Sequence, residues 1–448
     1  MTILTIDFET YYDRAFSLSK LTTEAYIRDE LFEVIGVSVQ IDDSSASSST
    51  WFSGTKKETQ EFLNQFDWEN SLTVAHNAMF DMAILNWRFG IKPARIADTL
   101  SMARAIHGTQ VGGSLRALTE YYGIGKKGTE VLNALGKHRA DFSEEELEAY
   151  AGYCKNDTAI TYKLFKCLMA EGFPIAELKL IDLTLRMFTE PVLQVGTFLL
   201  ETHLEELKEK KAEWLGKAGV TREQIMSNPQ FAELLKAQGV IPPTKVSLTT
   251  GKETLAFAKT DEAFQALREH ENPIVQILVG ARLGVKSTIE ETRTERFIGI
   301  GNRGALPIPL RYYAAHTGRW GGDDKINMQN LPRGSILKNA MLAPQGALFL
   351  DCDSSQIEAR TLAWLAEQDN LVDTFARGED VYKVMASSIY GKPEDEITKD
   401  ERFIGKTTIL GCGYGMGAAK FQAQLKSMGV ELEQDECERI IRIYRTAN

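Results

Sequence analysis

The chain has 448 residues, 43% of them hydrophobic and 25% charged, with a formal net charge of −11. This length exceeds the usual single domain, so two or three domains are expected, and the composition is that of an ordinary soluble globular protein. No apolar run is long enough to cross a bilayer, the N-terminus enters a strand rather than a signal peptide, and five cysteines without a C-x-x-C pair fit reduced thiols in the cytosol.

A strand is predicted at 2–9. In it Leu4, Ile6 and Phe8 share one parity and Asp7 and Glu9 the other, so both acids project from one sheet surface. A second strand is predicted at 33–41, followed by a loop at Ser44-Ser45-Ala46-Ser47-Ser48-Ser49. His76-Asn77-Ala78-Met79-Phe80-Asp81 opens a helix, whose apolar stripe is Phe80, Ala83, Ile84 and Trp87 with Asp81 at its flank. Ser143-Glu144-Glu145-Glu146 is a capping-box pattern for a further helix, on which Tyr153 and Asp157 lie one turn apart on one face. The run of glutamates itself fits the field at a helix N-terminus.

Singly, each of these acids reads as a cap, a turn residue or a solvated charge. Together, Asp7, Glu9, Asp81 and Asp157 with Tyr153 are the groups a two-metal nuclease needs. Two hard divalent ions on carboxylate oxygens can clamp a phosphodiester, one activating water and the other stabilising the leaving 3′ oxygen. A tyrosine beside them can aim the water. The ordered set Asp-x-Glu, His-Asn-x-x-Phe-Asp and Tyr-x-x-x-Asp resembles the three exonuclease motifs of the DEDD superfamily, in its tyrosine-bearing branch. The resemblance implies an RNase H-like α/β fold and 3′→5′ exonuclease chemistry, with Asp7, Glu9, Asp81 and Asp157 as metal ligands and Tyr153 orienting water. Asp98-Thr99 fits a strand end common in that family and is assigned no ligand role.

Residues 171–275 change character, with long polar helices such as 199–216, interrupted near Pro229 and at Ile241-Pro242-Pro243. The acidic total argues against a nucleic-acid partner only on average. Residues 281–340 hold ten Lys/Arg against five Asp/Glu, a local balance of +5. Within this stretch Arg311-Tyr312-Tyr313-Ala314-Ala315-His316-Thr317-Gly318-Arg319-Trp320 leads into Asn327-Met328-Gln329-Asn330-Leu331-Pro332. These side chains suit backbone and minor-groove contacts with a duplex, and equally a surface loop rich in turn formers.

A hydrophobic strand, Ala347-Leu348-Phe349-Leu350, is predicted to end in Asp351-Cys352-Asp353-Ser354-Ser355-Gln356-Ile357-Glu358. Carboxylates at the end of a buried strand call for a metal or a partner. Arg402 and Lys406, one helical turn apart, suit a triphosphate, and Tyr414 beyond them can stack on a base. Gly405-Lys406-Thr407-Thr408 mimics the end of a P-loop, but Asp400 stands where its first glycine is required. Gly411-Cys412-Gly413-Tyr414-Gly415-Met416-Gly417 is read as a hinge at a helix end, because glycine is a poor helix former.

In this order the three segments resemble those of family A DNA polymerases. Thr317, Arg319, Asn327, Gln329 and Asn330 match the primer–template loop. The segment from Asp353 to Glu358 matches polymerase motif A, and Arg402, Lys406 and Tyr414 match motif B; Lys286-Ser287-Thr288 fits the end of the thumb. The resemblance implies that Asp353 is a catalytic metal ligand and that Gln356, Glu358, Arg402, Lys406 and Tyr414 bind the incoming nucleotide. Ser354 and Leu410 stand where the family pattern has aromatic residues, and Asp351 is an additional acid. The expected layout is an exonuclease domain at 1–170, thumb and connecting helices at 171–300, and partial palm and fingers of a right-hand polymerase at 301–448.

The family's second palm carboxylate sits in a His-Asp-Glu motif, and this sequence has no His-Asp dipeptide. The expectation is therefore the N-terminal portion of a phage-type polymerase, truncated or split, with no 5′ nuclease before it. It would act in the cytoplasm, that of the host if phage-encoded. It would use two Mg²⁺ per active site, or Mn²⁺ in their place. Expected partners are a DNA primer–template, dNTPs and a C-terminal polymerase fragment or processivity factor, with no membrane. Two rivals are a stand-alone exonuclease whose polymerase-like part only grips DNA, and a DNA-binding half-subunit.

Overall fold

The structure is a computed structural model and describes residues 2–42, 47–128, 134–247, 251–259 and 261–447. It divides into two compact units, one up to Phe349 and one from Leu350 on.

The first unit begins with β1 (Ile3–Thr10), then α1 (Thr23–Arg28), β2 (Val34–Asp42), β3 (Ser47–Phe52), α2 (Lys56–Leu63), β4 (Leu72–Ala75), α3 (Met79–Phe89), β5 (Arg95–Asp98), α4 (Thr99–His107), α5 (Leu115–Tyr122), α6 (Glu144–Ala170), α7 (Ile175–Thr189) and α8 (Thr197–Ala218). The five strands form one sheet in the order β3-β2-β1-β4-β5. β1 to β3 pair antiparallel, while β4 and β5 run parallel to β1. The serine run expected as a loop is corrected in part: Ser47 to Ser49 belong to β3, and 44–46 lie outside the described residues. Pairing decides this, because β3 extends the antiparallel ladder of β2 from Val37 to Asp42.

The parity read from β1 sets the two layers. Phe8 stacks on Phe89 of α3 at 6.0 Å, on one face of the sheet. On the other face lies α6, whose Thr158 hydroxyl meets Ser38 of β2 at 3.1 Å. α6 starts at the capping box expected from the sequence, Ser143 with Glu146. α3 is buried more widely than its predicted stripe. Asp81, Met82 and Leu85 are inside, and Trp87 turns to Phe188 of α7 at 5.1 Å.

Two further cores follow in this unit. One gathers Phe231, Phe257, Phe264 and Leu278, and the other Leu200, Phe297, Ile300, Leu306 and Leu337. The basic segment is tied back to the N-terminal layers by polar contacts. Arg303 pairs with Glu24 at 2.6 Å, and Asp324 accepts the Thr23 and Glu24 amides at the start of α1. Lys325 Nζ donates to the carbonyls of Ser19 and Leu21 at 3.1 and 2.9 Å.

The second unit is all helical among its described residues, with helices Ile357–Leu365, Asp369–Ala376, Val381–Tyr390, Lys399–Gly413, Ala418–Ser427 and Gln434–Ala447. The strand expected at 347–350 does not form: Leu348 and Leu350 are 88% and 86% exposed on irregular backbone. A strand is held by a neighbour's ladder, and no strand pairs with this segment among the described residues. The buried strand end expected for Asp351 and Asp353 is corrected with it, since both are exposed. The glycine-rich run does end a helix, at Gly413, with Gly415 at φ +74°.

Candidate active site

Five side chains expected from the sequence converge between the sheet and α6. Asp7 and Glu9 leave β1 on the face toward α6. Asp81 enters from the first turn of α3, where its Oδ1 accepts the Phe8 amide at 3.0 Å. That amide needs a side chain because β4 pairs with β1 only as far as Thr5, opposite Val74. Tyr153 and Asp157 come from adjacent turns of α6, both buried.

α3 has no side-chain cap of its own, and Asn77 before it sits at φ +67°. Asp98 at the end of β5 holds this entry. Its Oδ1 accepts the Asn77 and Ala78 amides at 2.8 and 3.2 Å, while Oδ2 accepts the Ser101 amide of α4 at 3.1 Å. Both oxygens of Asp98 are thus engaged by backbone amides. His76 braces the same turn between the Thr99 hydroxyl at 2.9 Å and the Gly113 carbonyl at 3.1 Å. Burial pushes its pKa down to about 4, so the ring is neutral and its Nε2–H faces the carbonyl.

Three participants were not foreseen. Tyr150 Oη donates to Glu9 Oε2 at 2.8 Å, Cys154 Sγ lies 3.3 Å from Asp7 Oδ2, and the Lys127 ammonium pairs with Asp157 Oδ2. Lys127 also covers the Tyr153 ring at 5.1 Å. Tyr150 and Cys154 were legible in principle: with Tyr153 and Asp157 they form an i, i+3, i+4, i+7 stripe on α6. Lys127 comes from a connecting segment whose path no local pattern fixes.

The electrostatics are those of acids crowded out of water. Burial, then the charge of Asp157, raises Asp7 to about 7, with Lys127 and the Cys154 thiol pulling the other way. Burial, then Asp7, raises Glu9 to about 8 against the Tyr150 hydrogen bond. Burial and Asp7 likewise push Asp81 well up, against the Phe8 amide. Tyr153 is driven up by burial first and by Asp157 next, so its phenol keeps its proton through the physiological range. Burial raises the Cys154 thiol too.

Such a cluster fits divalent cations by its donor chemistry. Asp157 Oδ1 is buried with no hydrogen-bond partner, and among the described residues one lysine, Lys127, is paired with the carboxylates. Among the described residues, Asp7, Glu9 and Cys154 are the one set of three or more metal-ligating side chains whose donor atoms all lie within 4.8 Å of one another.

The residues expected to touch DNA lie elsewhere in the first unit, on and after a hairpin of Leu310–Arg311 with Gly321–Gly322. Thr317, Arg319, Gln329 and Asn330 are exposed, and Asn327 is half-buried. The hairpin rests on α7, with Tyr312 bonded to Glu177 and Trp320 Nε1 donating to Thr184 at 2.9 Å. In the second unit, Arg402 pairs with Asp380 at 2.6 Å and lies over the Tyr382 ring at 5.2 Å. Burial raises the Tyr382 phenol, and the charges of Arg402, Asp380 and Glu358 act on it as well. Lys406 and Tyr414 are exposed, Gln356 begins its helix at φ +57°, and Asp353 stands on irregular backbone.

The sequence profile described as DNA polymerase family A matches residues 197–447, and one described as 3'-5' exonuclease matches residues 22–172, a span that leaves Asp7 and Glu9 outside. DNA polymerase I of Pseudomonas aeruginosa is 27% identical over 381 residues, covering 81% of this chain and 41% of that protein. DNA polymerase I of Aquifex aeolicus is 25% identical over 399 residues, 82% of this chain and 64% of its own length. The thermostable DNA polymerase I of Thermus aquaticus is 30% identical over 207 residues, 45% and 24% of the two. The solved structure of the POL domain of Pol1 from M. smegmatis, in complex with DNA primer-template and dNTP, is alike in fold at a TM-score of 0.66. It is 19% identical, covering 100% of this chain and 72% of that one. The chain spans about two-fifths of the length of the first curated relatives it matches.

Proposed function

Because the chain belongs to the family A DNA polymerases and carries a 3′→5′ exonuclease domain, we propose that its carboxylate cluster removes nucleotides from DNA 3′ ends in support of template-directed synthesis. The observation that carries the exonuclease reading is the convergence of Asp7, Glu9, Asp81, Asp157 and Tyr153 in one pocket. Divalent ions, Mg²⁺ or Mn²⁺, held by the four carboxylates would supply activation of water and stabilisation of the leaving 3′ oxygen. The chain's own residues do the rest. Asp98 and His76 hold Asp81 in place, Tyr150 fixes the rotamer of Glu9, and the protonated Tyr153 orients the attacking water through its hydroxyl. Unpaired 3′ ends leave a duplex at low cost, which favours a mismatched end in this cleft.

The polymerase half of the reading rests on the segments that match the family. Thr317, Arg319, Asn327, Gln329 and Asn330 would track the primer–template. Arg402, Lys406 and Tyr414 would hold a dNTP, with Gln356 and Glu358 beside it and Asp353 a metal ligand. The proposed layout remains exonuclease at 1–170, thumb at 171–300 and palm and fingers at 301–448. A second reading, an exonuclease whose polymerase-like part grips DNA, is favoured by the exposed, unpaired backbone around Asp353.

Two results are expected. Tyr153→Phe lowers the single-turnover rate of 3′ removal by about tenfold to a hundredfold while DNA affinity holds, because orienting water acts on the chemical step. An equal loss in affinity would count against that role.

The second concerns metal and pH. With Asp7 and Glu9 raised to about 7 and about 8, the metal-free fold keeps protons that the unfolded chain loses near its ordinary carboxylate values. In the metal-free chain these two carboxyls therefore contribute stability that is fully present below their ordinary carboxylate values and is lost as pH rises toward about 8. Divalent ions bind the ionised forms, so the thermal shift on adding Mn²⁺ grows from about pH 5.5 to about pH 8.5. A shift independent of pH, or one retained after Asp7→Asn with Glu9→Gln, would remove these carboxylates from the metal site.

A further inference from the structure

Among the described residues of the cluster, Cys154 is the soft donor beside hard ones. Its Sγ lies 3.3 Å from Asp7 Oδ2 and 3.4 Å from the Asp7 carbonyl oxygen. Sγ and one oxygen each of Asp7 and Glu9 form the tight triad described above. Sulfur bound at about 2.3 Å and oxygen at about 2.0 Å to one tetrahedral ion stand about 3.5 Å apart. The Asp7–Cys154 pair is therefore already close to the bite of a single ion. One turn along α6, Asp157 adds a buried oxygen, Oδ1, with no partner. The hydrolysis proposed above has no use for a thiol, and Mg²⁺ takes oxygen ligands, whereas thiolates select softer ions.

We infer that Asp7, Glu9 and Cys154 form a mixed oxygen–sulfur site that captures a thiophilic divalent ion, Zn²⁺ or Cd²⁺, and so makes 3′ removal selectively sensitive to such metals. The consequence for catalysis rests on the exonuclease reading of the same pocket; the site itself rests on three side chains. As the metal–sulfur bond forms, the thiol releases its proton to solvent, leaving a thiolate ligand and no change of oxidation state. A thiolate-bound ion with two carboxylates is held more tightly than the ions that support hydrolysis, and it occupies Asp7 and Glu9 in their place.

The test uses the full chain, freed of metal and titrated with CdCl₂, and reads the thiolate-to-cadmium charge-transfer band. One equivalent of Cd²⁺ is expected to develop the band. Cys154→Ser and Cys154→Ala lose it, and Asp7→Asn weakens Cd²⁺ binding about tenfold or more. Cys352→Ser, at an exposed thiol, leaves it intact. Zn²⁺ is expected to inhibit Mg²⁺-dependent primer shortening at a concentration about tenfold or more lower in the unaltered chain than in Cys154→Ser. X-ray absorption at the zinc edge, on the unaltered chain with one equivalent of Zn²⁺, should show a sulfur neighbour, and this needs no variant to fold. A zinc shell without sulfur, or a band and a zinc sensitivity that Cys154→Ser does not change, would overturn the inference. A band that follows Cys154 and Asp7 in a chain that shortens no primer would support the site while overturning the exonuclease reading.

Discussion

Replacing Asp7 and Glu9 together by alanine is expected to lower 3′ removal by about a thousandfold or more. Both carboxylates leave one strand on one face, and both are held there at a cost of burial and crowding that Lys127, Cys154 and Tyr150 offset in part and that bound cations would relieve further. A clamp of this kind is worth several kcal/mol in the transition state, and each 1.4 kcal/mol or so is tenfold in rate. The fold should survive, because the raised pKa values of these acids mean that the metal-free structure carries their charges at a cost, from burial first and from repulsion by neighbouring carboxylates next. The variant is therefore expected to melt at or above the temperature of the unaltered metal-free chain, while its Mn²⁺-induced thermal shift disappears. Single-turnover shortening of a 5′-labelled primer measures the first quantity and calorimetry the second. Retained shortening with a lost thermal shift would place the hydrolytic site elsewhere.

Glu24→Leu is expected to damage the fold of the first unit severely. The Glu24 carboxylate is fully buried, bonded by Arg303 Nε and Nη2 at 3.0 and 2.6 Å and by Arg28 Nη1 at 3.2 Å. Arg28 in turn lies over Trp87 at 4.3 Å and donates to the Ala305 carbonyl at 3.0 Å. Removing the carboxylate strands a largely buried guanidinium, and breaking such a pair costs about 3–5 kcal/mol. Arg303, about a third exposed, can recover water and lies at the lower end of that effect. Adding Arg28→Met to Glu24→Leu should restore much of the loss, since it removes the more deeply buried of the two stranded guanidiniums and leaves Arg303, which reaches water. Urea unfolding measures both variants. A loss under about 1 kcal/mol for Glu24→Leu would show that the ties between α1 and the basic segment are incidental to stability.

The carboxylate cluster was legible because its residues are set by local periodicities. A period of two put Asp7 beside Glu9, a capping box placed α6, and a four-residue step paired Tyr153 with Asp157. Lys127 and the brace from Asp98 and His76 were not legible as parts of that pocket, because they meet it through tertiary contacts that no spacing encodes. The same limit explains the strand expected at 347–350. Its apolar run satisfies strand composition, but a strand is a property of a pair, and composition cannot say whether the partner is present. The hairpin near Arg319 shows the intermediate case. Its exposed polar residues were foreseen, whereas the anchoring of Tyr312 on Glu177 and Trp320 on Thr184 was not.

The most direct measurement is the fate of a 5′-labelled primer with a mismatched 3′ end, annealed to template, with Mg²⁺ and no dNTP. The account predicts a ladder shortened stepwise from the 3′ end, abolished by a chelator, with the mismatched nucleotide removed faster than a paired one. An intact primer, or internal cleavage without a ladder, would contradict it.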